Sequence, residues 1–316
     1  MPIYRTYSEL RTAQGCTLAH HLRYEKKLRT KDSDFHFFRV GGAVHEFIDQ
    51  MYKYHFKQDE IIRKVREHLK PEHEFAMQLD PNFTPEVAKI EMATVEGLLR
   101  LYYRECYLKE NIQMVETEAE FQLDFHEFIL TGKIDGRLKN ETGEHHYIHE
   151  IKTRANGWWG PRQVADLPLD EQIKIYVFAA NNVWRDSITR GALYTVLIKP
   201  GIRQRVKDTV QDYCDRIIEE YTDMDGKDPG YSAAKYLSRH YVYHSTLTMQ
   251  EVYNKVIQMN RAIVNRVEPF PWSGDHCGIC DFKDYCKTVD GASRSLILAN
   301  NFVMGQSKHT ELAFAI

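Results

Sequence analysis

Residues 131–153 read TGKIDGRLKNETGEHHYIHEIKT. One carboxylate, Asp135, stands near the start, and Glu150 and Lys152 stand two residues apart near the end. Between them ETGEHH has the composition of a turn. The midpoint of Asp135 and Glu150 falls between Thr142 and Gly143. A hairpin folded there sets Asp135 opposite Glu150 or within one residue of it, and facing pairs have Cβ atoms about 4.5–5.5 Å apart. Glu150 and Lys152 share a face because side chains alternate along a strand. The hairpin thus gathers two carboxylates and an ammonium on one surface. An exposed cross-strand ion-pair cluster would show the same spacing. Two facing carboxylates, however, repel unless a cation lies between them, and Ile148 and Ile151 give the Glu150 strand a buried character. Hard oxygen ligands at this spacing suit Mg²⁺ or Mn²⁺.

Working outward, the alternation from Val115 to Phe125 is strict: Val115, Thr117, Ala119, Phe121, Leu123 and Phe125 face one way, and Glu116, Glu118, Glu120, Gln122 and Asp124 the other. That is a half-buried strand. Glu116, Glu118 and Glu120 are either solvated, paired with helix lysines, or a source of one further metal-shell carboxylate. Strands are expected at 128–138 and 146–153, then a loop with two tryptophans, a helix near 169–184, an apolar strand in ALYTVLI and a helix near 203–222. A later helix opens on the capping box Thr248-Met-Gln-Glu251. Upstream, residues 41–70 read as helical, with Val44, Phe47, Ile48 and Met51 at helical spacing. Thr84 as N-cap and Pro85 at the first position start a helix that runs to about Cys106. Residues 1–30 read as an irregular start and a helix carrying Leu18, His21, Leu22 and Tyr24; residues 291–316 are weakly patterned, a tail or edge element. The order of elements predicts an α/β fold, a mixed sheet flanked by helices.

With 316 residues the chain can bury a full core, and 43% hydrophobic and 28% charged residues are ordinary for a soluble globular protein. No apolar run is long enough to span a bilayer, so no membrane partner is expected. The first residues lack signal-peptide character, which points to the cytoplasm, or a host cytoplasm if the source is viral. A net charge of −3 excludes general electrostatic attraction to nucleic acid; any such binding must come from a local basic groove and from metal ions. Of six cysteines, Cys277, Cys280 and Cys286 crowd into CGICDFKDYC, and in a reducing compartment crowding favours metal over disulfides. Cys106 and Cys214 lie in helical stretches and read as ordinary buried thiols.

GKIDG followed by HEIKT resembles the core of the PD-(D/E)XK nucleases, in particular the RecB-like branch. Gln172 and Tyr176 in EQIKIYVFAA are similar to that branch's Gln-x-x-x-Tyr helix, and GGAVHEFI is similar to its helix carrying a metal-ligating histidine, here His45. Cys277-x-x-Cys280-x5-Cys286, with Cys16 far upstream, resembles the iron–sulfur subset, which includes CRISPR-associated exonucleases, AddB-type nucleases and phage exonucleases. The resemblance spans roughly residues 8–286 and implies a restriction-endonuclease-like sheet at residues 41–231, with 1–40 and 232–290 forming an iron–sulfur region built from both chain ends. It implies phosphodiester hydrolysis of DNA from free ends or single strands. His45, Asp135, Glu150 and the Ile151 carbonyl would hold Mg²⁺ or Mn²⁺, Lys152 would act beside the attacking water, and Gln172 and Tyr176 would position the backbone or the water. Cys16, Cys277, Cys280 and Cys286 would hold a [4Fe–4S] cluster, with structural Zn²⁺ as the alternative, His276 then being able to substitute for one thiolate.

In KTRANGWWGPRQ, Arg154, Trp158, Trp159 and Arg162 suit stacking on single-stranded bases and grip of phosphates; alternatively the tryptophans cover the core. A structure-specific endonuclease, a non-catalytic nucleic-acid-binding module and a zinc-stabilised structural protein also stay open. No G-x-x-x-x-G-K-[ST] loop occurs, so action on duplex needs a free end, a pre-opened strand, or a helicase or recombination protein as partner.

Overall fold

The computed structural model describes residues 2–31, 35–109, 112–140, 142–185, 187–222, 233–244 and 246–305. In chain order the elements are β1 (Tyr4–Thr6), α1 (Tyr7–Gly15), α2 (Thr17–His20), β2 (Leu28–Thr30), α3 (Phe35–Tyr54), α4 (Gln58–Leu79), α5 (Pro85–Tyr102), β3 (Gln113–Asp124), β4 (Ile129–Lys139), β5 (His146–Arg154), α6 (Pro161–Asp166), α7 (Glu171–Val183), β6 (Thr189–Ile198), α8 (Val210–Thr222), β7 (Leu237–Tyr243), α9 (Thr246–Val264), α10 (Lys283–Lys287), α11 (Gly291–Asn301) and β8 (Phe302–Met304).

Six strands form one mixed sheet. β4 runs antiparallel to β3 and β5, β6 runs parallel to β5, and β7 closes the row antiparallel to β6. β6 is buried on both faces over Gly191–Ile198, which explains its unbroken apolar run. β4 is shared along one edge: its C-terminal half pairs with β5, and residues 129–131 pair in parallel with β1. The β4–β5 ladder runs from Lys139↔His146 to Gly136↔His149 and ends there. The two strands part at the next step, where Asp135 and Glu150 stand. Helices cover both faces. Gly41 of α3 approaches Thr153 and Tyr102 of α5 lies beside His149; Gln172 of α7 lies on the other side, beside Lys152.

A second, smaller core joins the two ends of the chain. Cys16, Ala19 and Leu22 are buried with Phe282 and Phe302, whose rings stack at 5.0 Å. β2 and β8 pair antiparallel, Thr30 against Phe302. Residues 291–304, expected as a tail or edge element, thus form a helix and a strand; 306–316 lie outside the described residues.

Several boundaries differ from the sequence reading. The helix expected over 41–70 is two helices, divided at His55, which adopts φ 54°. The alternation of β3 breaks at a register shift between Met114 and Glu116, which leaves Val115 41% exposed while Ala119 and Phe121 are buried; a bulge adds one unpaired residue and flips the pattern. The helix expected from 203 begins at Val210. Thr209 and Asp212 exchange backbone-to-side-chain hydrogen bonds of 2.9 and 3.1 Å, a reciprocal cap that fixes the start. α9 begins at Thr246, so Thr248 and Glu251 lie inside it. The irregular start expected before the Leu18–Tyr24 helix instead holds β1 and α1, and Cys16, extended at φ −161°, separates α1 from α2.

Candidate active site

The site forms where β4 and β5 part. Asp135 Oδ2 accepts a 2.7 Å hydrogen bond from the backbone N–H of Ile151, which bridges the split. Asp135 Oδ1 lies 3.3 Å from His45 Nδ1 on α3. Glu150 is ion-paired with Lys152, and Lys152 Nζ lies 3.5 Å from Gln172 Oε1. Asp170 caps α7, accepting from the N–H groups of Gln172 and Ile173 at 2.8 and 3.2 Å, and so sets the rotation that presents Gln172. One turn on, Tyr176 packs edge-on against Phe121 at 5.7 Å. A close approach holds this wall: a Cβ on Gly132 would fall 2.6 Å from the Phe121 ring.

The electrostatics follow from burial. Glu150 is 2% exposed. Burial, with the charge of Asp135, raises its carboxyl to about 7 against the pull of Lys152. Burial would also raise Asp135, but His45, Lys152 and the Ile151 N–H outweigh it and hold that carboxyl well below the usual range. For Lys152 burial favours the neutral amine; Glu150 and Asp135 win and keep it charged. For His45 burial again opposes charge, and Asp135 outweighs it, so its pKa is raised. Burial first, then the Glu150 charge, pushes the Tyr176 phenol up.

On the α3 side a small cavity is lined by His45, Asp49, Glu118, Asp135, His149 and Ile151 among others. Glu118, one of the three glutamates of β3, is ion-paired with Lys133 on the neighbouring strand rather than with a helix lysine; Glu116 pairs with Arg137 at 3.2 Å. Sequence reasoning missed Asp49. Its signal was the spacing: it stands four residues after His45, on the same helix face. Asp49 Oδ1 is buried and has no hydrogen-bond partner among the described residues. His45, Asp49, Glu118, Asp135 and Glu150 are the oxygen and imidazole donors that a hard divalent cation takes. Glu150 is turned onto Lys152 and Asp135 onto His45 and Ile151, and among the described residues no three converge as a ready metal-holding group.

The tryptophans after Lys152 divide. Trp158 is 72% exposed, whereas Trp159 stacks on Tyr194 at 5.7 Å and packs against the core. Arg154 and Arg162 are exposed. Cys16 accepts from the N–H groups of Ala19 and Trp272, each at 3.5 Å. Burial, followed by Cys280, Cys16 and Cys277, raises the Cys286 thiol, so the four cysteines occupy one neighbourhood. His276, next to Cys277, is exposed. Cys106 and Cys214 are buried. No helix among the described residues is long and apolar enough to cross a membrane.

A family model for the PD-(D/E)XK nuclease superfamily matches residues 5–287. No curated protein matches the chain. Among solved structures, the chain is similar to a protein of Eubacterium rectale named "Putative exonuclease", with a TM-score of 0.47 and 12% identity, over 91% of this chain and 89% of that one.

Proposed function

The chain belongs to the PD-(D/E)XK nuclease superfamily, and from that premise we propose that it is a divalent-metal-dependent deoxyribonuclease that removes nucleotides from single strands or DNA ends, in recombination, repair or DNA processing. The observation that carries the reading is the parting of β4 and β5 at Asp135 and Glu150, with Lys152 on the same strand as Glu150.

Asp135, Glu150 and His45, with the Ile151 carbonyl, would hold Mg²⁺ or Mn²⁺. When bound, the ion supplies Lewis acidity at the scissile phosphate and acidifies the attacking water. The water oxygen forms a bond to phosphorus, the P–O bond to the leaving oxygen breaks, and that oxygen takes up a proton. Lys152, kept charged by two carboxylates, faces the charge that builds on the phosphoryl oxygens and stabilises it where bulk water is excluded. It is a poor general base for the same reason. Gln172, fixed by the Asp170 cap, and Tyr176 orient the strand or the water. The four cysteines suit a [4Fe–4S] cluster, with structural Zn²⁺ as the rival; Cys16 already accepts two N–H groups, as ligating thiolates do.

The test is cleavage of single-stranded DNA labelled at one end or the other, with Mg²⁺, with Mn²⁺ and with chelator, beside Lys152→Ala. Metal-dependent loss of DNA by the wild type alone is the expected result. Cleavage of a closed circular strand would replace the exonuclease reading with an endonuclease. No cleavage, or equal cleavage by Lys152→Ala, would leave a binding module that keeps the fold without the chemistry.

A further inference from the structure

The loops at the C-terminal ends of β5 and β6 lie side by side. Arg154 pairs with Ile198 at the end of the ladder, the N–H of Lys199 donates to the Arg154 carbonyl at 2.7 Å, and Gly201 packs on Asn156 so closely that a Cβ there would fall 1.8 Å from the amide nitrogen. Residues 154–162 and 199–207 together hold six cationic side chains and no carboxylate, in a chain of net charge −3. Lys199 is half-buried near Glu91. Arg154, Arg162, Arg203, Arg205 and Lys207 are exposed, and none of the five makes an ion pair among the described residues.

Side-chain freedom here contrasts with a braced backbone. Tyr213 donates to the Ile202 carbonyl at 2.9 Å, and Asp208 accepts from the N–H of Arg205 at 3.0 Å. Asp208, the nearest carboxylate in the chain, is taken by Arg216. A solvated loop needs neither such bracing nor such exclusion of acids. Lys152 lies two residues before Arg154, roughly 7 Å along the strand, and Trp158, whose N–H donates to the Ala155 carbonyl at 3.2 Å, is exposed.

We propose that the 199–207 loop and Arg154 form a phosphate-gripping rim for single-stranded DNA, which continues the strand path away from the Lys152 site. Binding there is independent of sequence, because the groups presented are cations and one indole face rather than readers of base edges. The inference rests on the nuclease reading for its substrate, but it is judged by binding rather than by cleavage.

The experiment measures affinity of a labelled single-stranded oligonucleotide in chelator across a salt series, for the wild type and for Arg203→Ala/Arg205→Ala/Lys207→Ala. Loss of three phosphate contacts lowers affinity at least about tenfold near physiological salt and shrinks the log–log salt slope by roughly two. Arg203→Lys/Arg205→Lys restores most of the slope. Arg205→Gln alone, with an expected loss of about 0.7 in slope, serves if the triple variant does not fold. Unchanged affinity and slope in a variant of wild-type melting temperature would overturn the rim, whatever the cleavage assay shows. Equal affinity for blunt duplex would overturn the single-strand assignment. Loss of binding without any wild-type cleavage would uphold the rim and sink the hydrolytic reading.

Discussion

Lys152 and Glu150 show how burial converts an ordinary ion pair into a device. With Glu150 almost fully buried, its carboxyl ionises near 7 in the metal-free protein, above the usual carboxylate value of about 4.3. Its folded pKa is raised, so this group costs no stability below the unfolded value. Stability is then lost as pH rises through that value toward 7. A divalent ion needs the ionised form and releases the proton. Mg²⁺ should therefore raise the melting temperature more at pH 8 than at pH 6, and Glu150→Gln should shrink the difference to the part carried by His45, which must also lose its proton to bind the ion; thermal unfolding with and without chelator measures both. Lys152→Ala should reduce cleavage on the order of 10²–10³-fold, as removal of one charge-stabilising donor does elsewhere, with single-strand affinity in chelator little changed. The convergence of Asp135, Glu150 and Lys152 was legible because a period of two and a single turn fix it. Asp49 was harder to read, because its only signal, a four-residue spacing from His45, is shared by many helix pairs until the sheet brings Glu118 and Asp135 beside it.

The same division holds for elements. β4 and β5 have the register that their shared turn dictates, and β6 announced itself by an apolar run that only a strand buried on both faces needs. Boundaries were less readable where a local device overrides periodicity. The Thr209–Asp212 cap starts α8 seven residues later than its apolar pattern suggested, and that delay releases 203–209 as a loop. The left-handed His55 likewise splits an otherwise continuous pattern. Caps also transmit to the site. Asp170→Ala removes two hydrogen bonds at the start of α7, which should cost about 1 kcal/mol of stability. It should lower kcat as well, since Gln172 loses its fixed rotation; chemical denaturation and steady-state cleavage report the two effects separately.

For the whole molecule, sequence order concealed the most. Two segments at opposite ends of the chain build one small core, with Cys16 and Leu22 on one side and Phe282 and Phe302 on the other. The resemblance of the cysteine pattern to the iron–sulfur subset pointed to that meeting. The β2–β8 pair did not, because three-residue strands have no period to read. A metal centre here would act as a clasp on a very long loop, and closing it removes chain entropy. Cys280→Ser should therefore lose bound iron and lower the melting temperature together, followed by absorbance near 400 nm, iron content and calorimetry. Iron lost with stability intact would refute the clasp, and a colourless protein loaded with zinc would replace the cluster.

The β2–β8 pairing has a consequence in time. Thr30 meets Phe302, so during vectorial synthesis the first strand waits for a partner 272 residues behind it, roughly 15–50 s at ribosomal speeds. Of the large sheet, β1 precedes that interval and the other five strands, β3 to β7, are translated within it. The β2–β8 core can therefore close only after Phe302 has been translated, and any inorganic centre it carries must be completed after that point, by delivery to a nascent protein whose sheet strands have already been made.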